Sequence, residues 1–187
     1  MNVSVGYLIV LGLIVLALAY VIFNFFRIKK MNEGTKEMVE MAGIIRSGAS
    51  MFLKTEFKTV AIVVAVIALA FSLFVEATSG LTFILGACMS SIVCILGMRS
   101  ATYANVRTAN KARESLSVGE TVKVALCGGS ISGLSVQAFG MLGLVLVLLF
   151  WGNPTAAEDG RGLLADLSCN ASIMRISTYS LGCSIVA

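Results

Sequence analysis

The sequence predicts an all-α protein, a polytopic transmembrane helical bundle with four full spans and a truncated fifth, two of its helices extended into the cytosol. Three observations predict it. Hydrophobic residues make up 58% of the 187 residues and charged residues only 13%, about half the charged share of a soluble domain. The apolar residues gather in blocks of roughly 20, the length a bilayer requires of a helix. Twelve of the fourteen Lys and Arg fall in two stretches between those blocks, residues 27–58 and 99–123, which is the positive-inside bias. The whole chain, 1–187, reads as the N-terminal portion of one transmembrane domain. Its spans are placed at about 3–26, 56–75, 81–98 and 122–151, with 171–187 incomplete. The net charge of +4 follows from the basic inter-span segments and is no nucleic-acid signal.

The first block, "VSVGYLIVLGLIVLALAYVIFNFF" (3–26), has no charge and is followed by Arg27, Lys29 and Lys30. A cleavable signal peptide carries its charge in front of a shorter apolar core. A retained span with its N-terminus outside, in the cell membrane, is therefore expected. Residues 34–59 differ. Met38, Ala42, Ile45, Ala49 and Phe52 recur at steps of three and four, one face of an α-helix. Lys36 and Glu40 form an i,i+4 pair on another face. This amphipathic helix runs without a breaker into "VAIVVAVIALAFSLFV" (60–75), the second span. "EATSG" (76–80) is expected to be a tight outer turn.

The third span begins near Leu81 and continues past Met98 as a basic helix, since neither Pro nor Gly interrupts 98–113. "ESLSVGE" (114–120) makes a turn, with Ser117 and Glu120 at the spacing of a capping box. The fourth span ends at Trp151, an interfacial anchor. Residues 152–170 hold the only Pro and both Asp and are expected to form an external loop. The last segment stops on an apolar residue with no cap. The sequence thus predicts a chain cut inside its fifth span.

The chemistry-bearing residues are few. There is no His, and the five Cys (Cys88, Cys94, Cys127, Cys169 and Cys183) include no C-x-x-C pair, so neither a metal site nor a disulfide framework is expected. On a helical wheel Arg99, Tyr103, Arg107 and Lys111 share one side, and Ala101, Ala104, Thr108 and Ala112 lie opposite. The cationic side is expected to face solvent, headgroups or an anionic partner, and the small side a neighbouring helix. Gly129 and Gly133 form a G-x-x-x-G pair, which in membrane helices marks close packing. Glu33, Glu37, Glu40, Glu56, Glu114 and Glu120 lie on the expected cytosolic side. Of these, Glu56 alone continues the stripe through Phe52 toward a helix interface. The spans contain no acid for an ion relay, and the acids are too dispersed for a Mg²⁺-phosphate site. Catalytic, substrate-binding and metal residues are accordingly expected to be absent.

Several motifs in order carry a resemblance. "EMVEMAGIIRSGASMFLKTEF" (37–57) is similar to the second-helix signature of membrane-integral pyrophosphatases. "GMRSATYANVRTANKAR" (97–113) resembles the end of their third helix, "GGSISGLSV" (128–136) their fourth, and "LGCSIVA" (181–187) the opening of their fifth. The resemblance implies a sixteen-span homodimeric pump that hydrolyses inorganic pyrophosphate at a cytosolic Mg²⁺ site, with K⁺ as a possible activator, and moves H⁺ or Na⁺ across a lipid bilayer. It implies that this chain is the N-terminal part, inactive alone, bracing an inner catalytic ring. Of its residues only Ser184 is placed near the family's ion path. Arg107 and Lys111 are expected to lend positive potential near the anionic substrate. The competing expectation is a small non-enzymatic membrane packing or assembly protein.

Overall fold

In the computed structural model of the protein, residues 3–75, 77–151 and 170–186 are described, with side chains from residue 6 onward and from 173 in the last segment. Residues 152–169 of the expected external loop, with Arg161 and Cys169, lie outside the described residues, as do Glu76 and Ala187. The described residues form α1 (Val3–Lys30), α2 (Lys36–Phe74), α3 (Ala77–Ser115), α4 (Val118–Trp151) and α5 (Asn170–Val186), with no strand among them. The first four are long and apolar enough to cross a membrane. At 39 residues each, α2 and α3 are about 58 Å long, nearly twice the ~30 Å hydrocarbon core. Both therefore extend well past a bilayer. The protein is an all-α transmembrane bundle.

The helix ends refine the expected boundaries. Thr35 caps α2: its Oγ1 accepts the Met38 N–H at 3.4 Å and its carbonyl accepts the Val39 N–H at 3.0 Å. The turn expected over 76–80 is shorter, because α3 already begins at Ala77. Gly80 makes that short connection fit: a Cβ there would lie 2.7 Å from the Ala68 carbonyl oxygen on α2. Between α3 and α4 only Leu116 and Ser117 are non-helical. Leu116 has φ +48°, the left-handed C-cap conformation that usually selects Gly. Its side chain is left almost fully exposed. Ser117 holds the N-cap position of α4, its carbonyl accepting the Thr121 N–H at 3.2 Å. The reciprocal half of the expected capping box is replaced. Glu120 accepts from Lys123 Nζ at 2.8 Å, and the Ser117 N–H goes to Ser115 Oγ at 3.4 Å.

The packed face of α2 also differs from the expected stripe. Met38, Ala42 and Ala49 are at least partly buried, but Ile45, Phe52 and Glu56 are exposed, and Leu53 is buried in their place. A helix turns 100° per residue, so a stripe counted as 4, 3, 4, 3 drifts off a straight packing face over four turns. Lys36 and Glu40 are not among the ion pairs of the described residues.

The chain packs as two units. One comprises residues 1–15, 58–92 and 138–187, the other 16–57 and 93–137. In the first, α3 and α5 meet through small and hydroxyl residues. A Cβ on Gly86 would collide with the Tyr179 carbonyl, and one on Gly182 with the Phe83 carbonyl. Thr82 and Thr178 join Oγ1 to Oγ1 at 2.7 Å, both buried. The Tyr179 hydroxyl donates to the Gly140 carbonyl at 3.0 Å, beside Gly143, where only hydrogen fits. Arg175 donates to the Trp151 carbonyl and to Thr78 Oγ1. In the second unit, Val21, Ile28, Ala104 and Ile131 form the core, flanked by Phe25, Tyr103, Cys127 and Leu134.

Close approach of helices in this second unit occurs at Gly128, not at the Gly129/Gly133 pair. A Cβ on Gly128 would strike the Ala104 side chain, while both predicted glycines have open space around them. The Ser100 hydroxyl donates to the Gly128 carbonyl at 2.9 Å across the same contact. Thermal unfolding in detergent checks this assignment. Gly182→Ala and Gly128→Ala are each expected to cost about 1–3 kcal/mol through overpacking. Gly133→Ala is expected to be neutral or to stabilise by up to about 1 kcal/mol through helix propensity.

Candidate functional site

Helix α1 ends at Lys30, and its last carbonyls have no intrahelical partner. They also carry the negative end of the helix dipole. Arg107 of α3 answers both needs. Its Nη2 donates to the Lys29 carbonyl at 3.0 Å, its Nε to the Met31 carbonyl at 3.1 Å, and its Nη1 to the Tyr103 carbonyl at 2.9 Å. Arg107 is only 4% exposed. A buried guanidinium keeps its charge and therefore needs an anion. Glu33 supplies it, with Oε1 at 2.9 Å from Arg107 Nη2.

Glu33 is shared. Arg46 of α2 donates Nη2 to Glu33 Oε1 at 2.6 Å and Nη1 to Oε2 at 3.4 Å. The hydrogen bond from Arg46, then the charges of Arg107 and Arg46, hold the Glu33 carboxyl below its ordinary value of 4.5 against an opposing effect of burial. Tyr103 completes the cluster. The Arg46 guanidinium carbon sits 4.2 Å from its ring centroid and that of Arg107 5.4 Å, both within cation–π range. Phe25 meets the same ring edge-on at 6.0 Å.

One turn further along α3, Asn110 secures the α1–α2 connection. Its amide donates to Glu114 Oε1 at 2.9 Å and to the Asn32 carbonyl at 3.4 Å, and its Oδ1 accepts from Arg113 at 3.1 Å. Asn32 Oδ1 accepts the Gly34 N–H at 3.1 Å. Gly34 has φ +99°, and a Cβ there would lie 2.7 Å from Asn110 Oδ1 and from Met38 Sδ. Only glycine meets both conditions.

The wheel expectation for α3 is thus corrected. Arg107 belongs to the buried face, with Ser100, Ala104 and Asn110, while Ala101 and Ala112 are exposed. The reason is chemical: α1's free carbonyls draw the guanidinium inward. Arg107 is consequently spent on the brace. Lys111 instead lines a cleft of about 340 Å³ with Arg27, Lys123, Glu114 and Glu120. Arg99 lines a second cleft, of about 510 Å³, with Lys29, Arg46 and Lys54. Ser184 is exposed on α5, while Thr178, Tyr179 and Gly182 carry that helix's packed face. Sequence reasoning missed Glu33, Arg46 and Asn110. The available signal was the Tyr103, Arg107, Asn110 spacing, which follows Ser100 and Ala104 along one face.

The described residues do not fit a Mg²⁺ site. Glu33 is held by two guanidiniums, Glu120 by Lys123 and Glu114 by Asn110. No three carboxylate, Cys or His side chains gather among the described residues.

Comparison with known proteins bears on the family. The family model described as inorganic H+ pyrophosphatase matches residues 15–187. A K(+)-stimulated pyrophosphate-energized sodium pump of Thermotoga maritima is 42% identical over 174 residues, covering 91% of this chain and 24% of that protein. A putative sodium pump of the same description from Clostridium tetani is 36% identical over 157 residues, 84% of this chain and 23% of its own length. A K(+)-insensitive pyrophosphate-energized proton pump of Moorella thermoacetica is 34% identical over 147 residues, 76% of this chain and 21% of its own length. The chain spans about a quarter of the length of these curated relatives.

The brace has a measurable weight. Arg107→Ala is expected to destabilise the chain by about 2–4 kcal/mol, because it removes the donors to the Lys29 and Met31 carbonyls and one of the two guanidiniums on Glu33. Arg107→Lys recovers little, since an ammonium cannot span four acceptors. The depressed Glu33 carboxyl gives a sign in pH. Its stabilisation is present above 4.5 and is lost as pH falls through its lower folded value. Acid unfolding in detergent checks this: Glu33→Gln is expected to lower stability at neutral pH and to flatten the decline below pH 4.5.

Proposed function

The chain belongs to the inorganic H+ pyrophosphatase family, and from that membership we propose that it is the N-terminal scaffold of a pyrophosphate-driven ion pump. In this reading the whole pump hydrolyses inorganic pyrophosphate at a cytosolic Mg²⁺ site and uses the released energy to move H⁺ or Na⁺. The residues that hold pyrophosphate, Mg²⁺ and K⁺ belong to helices beyond this chain. Two copies assemble as a homodimer in the cell membrane, with the N-terminus outside. Residues 1–187 have no hydrolytic activity alone.

One observation carries the scaffold role. The charged cluster of Glu33, Arg46 and Arg107 closes on a helix end and on itself. They brace rather than present a reacting group. The apolar spans are covered on few sides, with 6% of the most apolar part of α2 buried, which leaves faces for lipid and for further helices. Ser184 we place along the ion path, where its exposure on α5 leaves the hydroxyl open to a neighbouring helix. The identity of the ion is left to the acids of those helices, since relatives at similar identity are named both sodium pumps and proton pumps.

The test is hydrolysis in membrane vesicles. The chain joined to its in-frame continuation is expected to release phosphate from pyrophosphate in a Mg²⁺-dependent manner, with Na⁺ stimulation marking a sodium pump. Residues 1–187 alone are expected to release none. Phosphate release by the 187 residues alone, or none by the continued chain, overturns the reading.

A further inference from the structure

The cleft of about 510 Å³ has a composition unlike the rest of the protein. Four cations line it, Lys29, Arg46, Lys54 and Arg99, with Phe25, Phe57 and Tyr103, and no acid lines it. Lys29, Lys54 and Arg99 are in none of the ion pairs of the described residues. Arg46 is half committed to Glu33, yet its Nε is buried without an acceptor. A buried guanidinium N–H without a partner is costly, and an acceptor that reaches it after a shift of the Arg46 side chain removes that cost.

Three of the cations also fall at one level when counted from the expected spans. Lys29 follows the first expected span by three residues, Arg99 follows the third by one, and Lys54 precedes the second by two. With a bilayer set by those expected spans, the three charged groups would stand at the headgroups and the Phe25 and Phe57 rings on the acyl side. Basic pockets between helices at this level suit phosphorylated lipid headgroups.

We infer that this cleft binds the phosphate of an acidic phospholipid, with Arg99, Lys54 and Lys29 around the headgroup and Arg46 supplying the innermost donor. The ligand is committed to lipid, not to free pyrophosphate, because Phe25 and Phe57 give the cleft apolar walls that suit an acyl chain and do nothing for a bare anion. The inference rests on the membrane-spanning reading above and not on the hydrolytic one.

The test uses the 187-residue chain in nanodiscs and measures enrichment of bound lipid by native mass spectrometry. Discs contain phosphatidylcholine with or without phosphatidylglycerol. Phosphatidylglycerol is expected to be enriched on the chain, and Lys54→Gln with Arg99→Gln to reduce that enrichment about 25-fold, at about fivefold per cation. Lys111→Gln with Lys123→Gln removes the same charge outside the cleft and is expected to change it less than about twofold. Far-ultraviolet circular dichroism verifies helicity, and Lys54→Arg with Arg99→Lys, which keeps charge, is expected to restore binding if the first pair folds poorly. An equal fall in both neutralised pairs shows diffuse surface attraction and overturns the site. So does displacement of the lipid by millimolar pyrophosphate, which would make the ligand a free anion. Equal capture of both lipids overturns this inference alone, whereas failure to insert in either disc overturns the membrane reading as well.

Discussion

A guanidinium buried to 4% exposure sets the terms for the basic part of this protein. It cannot shed its proton, so every group around Arg107 has to make its charge tolerable. The carbonyls of Lys29 and Met31 do this at the end of α1, and Glu33 does it from the connection to α2. The bargain is mutual, because those carbonyls would otherwise be left without donors at the negative end of a helix dipole. The asymmetry of buried ion pairs then matters more than their net worth. An intact pair adds little over an apolar packing, but a broken one is severely destabilising. Arg107 therefore acts as a condition on how α1, α2 and α3 meet in this unit.

Large apolar side chains do much less of the specifying. Leu8, Leu13, Leu16, Phe23, Leu69 and Phe74 are all more than half exposed. In water such a surface would aggregate. In a bilayer, lipid is as good a neighbour as leucine, so helix association has to come from close backbone approach and hydrogen bonds. In the unit holding α5, Gly86 against Tyr179, Gly182 against Phe83, and Thr82 to Thr178 serve that end. In the other unit the same logic appears as Gly128 against Ala104 with the Ser100 hydroxyl between them.

The sequence disclosed what depends on composition and period, and hid what depends on neighbours. Span number, helical class and the two over-long helices were legible from apolar block lengths and the lack of breakers, and the structure has all of them. The turn before α3 was overestimated, because Thr78, Ser79 and Gly80 look like turn residues in isolation, whereas Gly80 packs against Ala68 and Ser72 within the first turn of the helix. The G-x-x-x-G pair misled for a related reason: the motif names a face, and the face that packs passes through Gly128. Arg107 was assigned to a side facing solvent, headgroups or an anionic partner, and its burial against α1 was missed because a wheel shows only its own helix. The acceptors that draw it inward belong to α1 and its connection, some 76 to 78 residues earlier in the chain. Glu33 shared the same blindness, being one acid among six until Arg46 and Arg107 converge on it.

Arg46 joins the brace to the lipid cleft, and this joint use has an energetic consequence. One carboxylate lies between two guanidiniums, so the cluster of Glu33, Arg46 and Arg107 keeps one positive charge in excess. An anion in the cleft would offset that excess and take up the idle Nε donor, while Glu33 retains Nη1 and Nη2. Because the anion and Glu33 use different N–H groups of one planar fork, they need not compete for hydrogen bonds. Their remaining interaction is repulsion between two negative charges held apart by a guanidinium. The occupied cleft then favours the same Arg46 rotamer that Glu33 and the Tyr103 ring already favour. Linkage is reciprocal, so a lipid that binds the braced arrangement more tightly must strengthen the brace by the same factor.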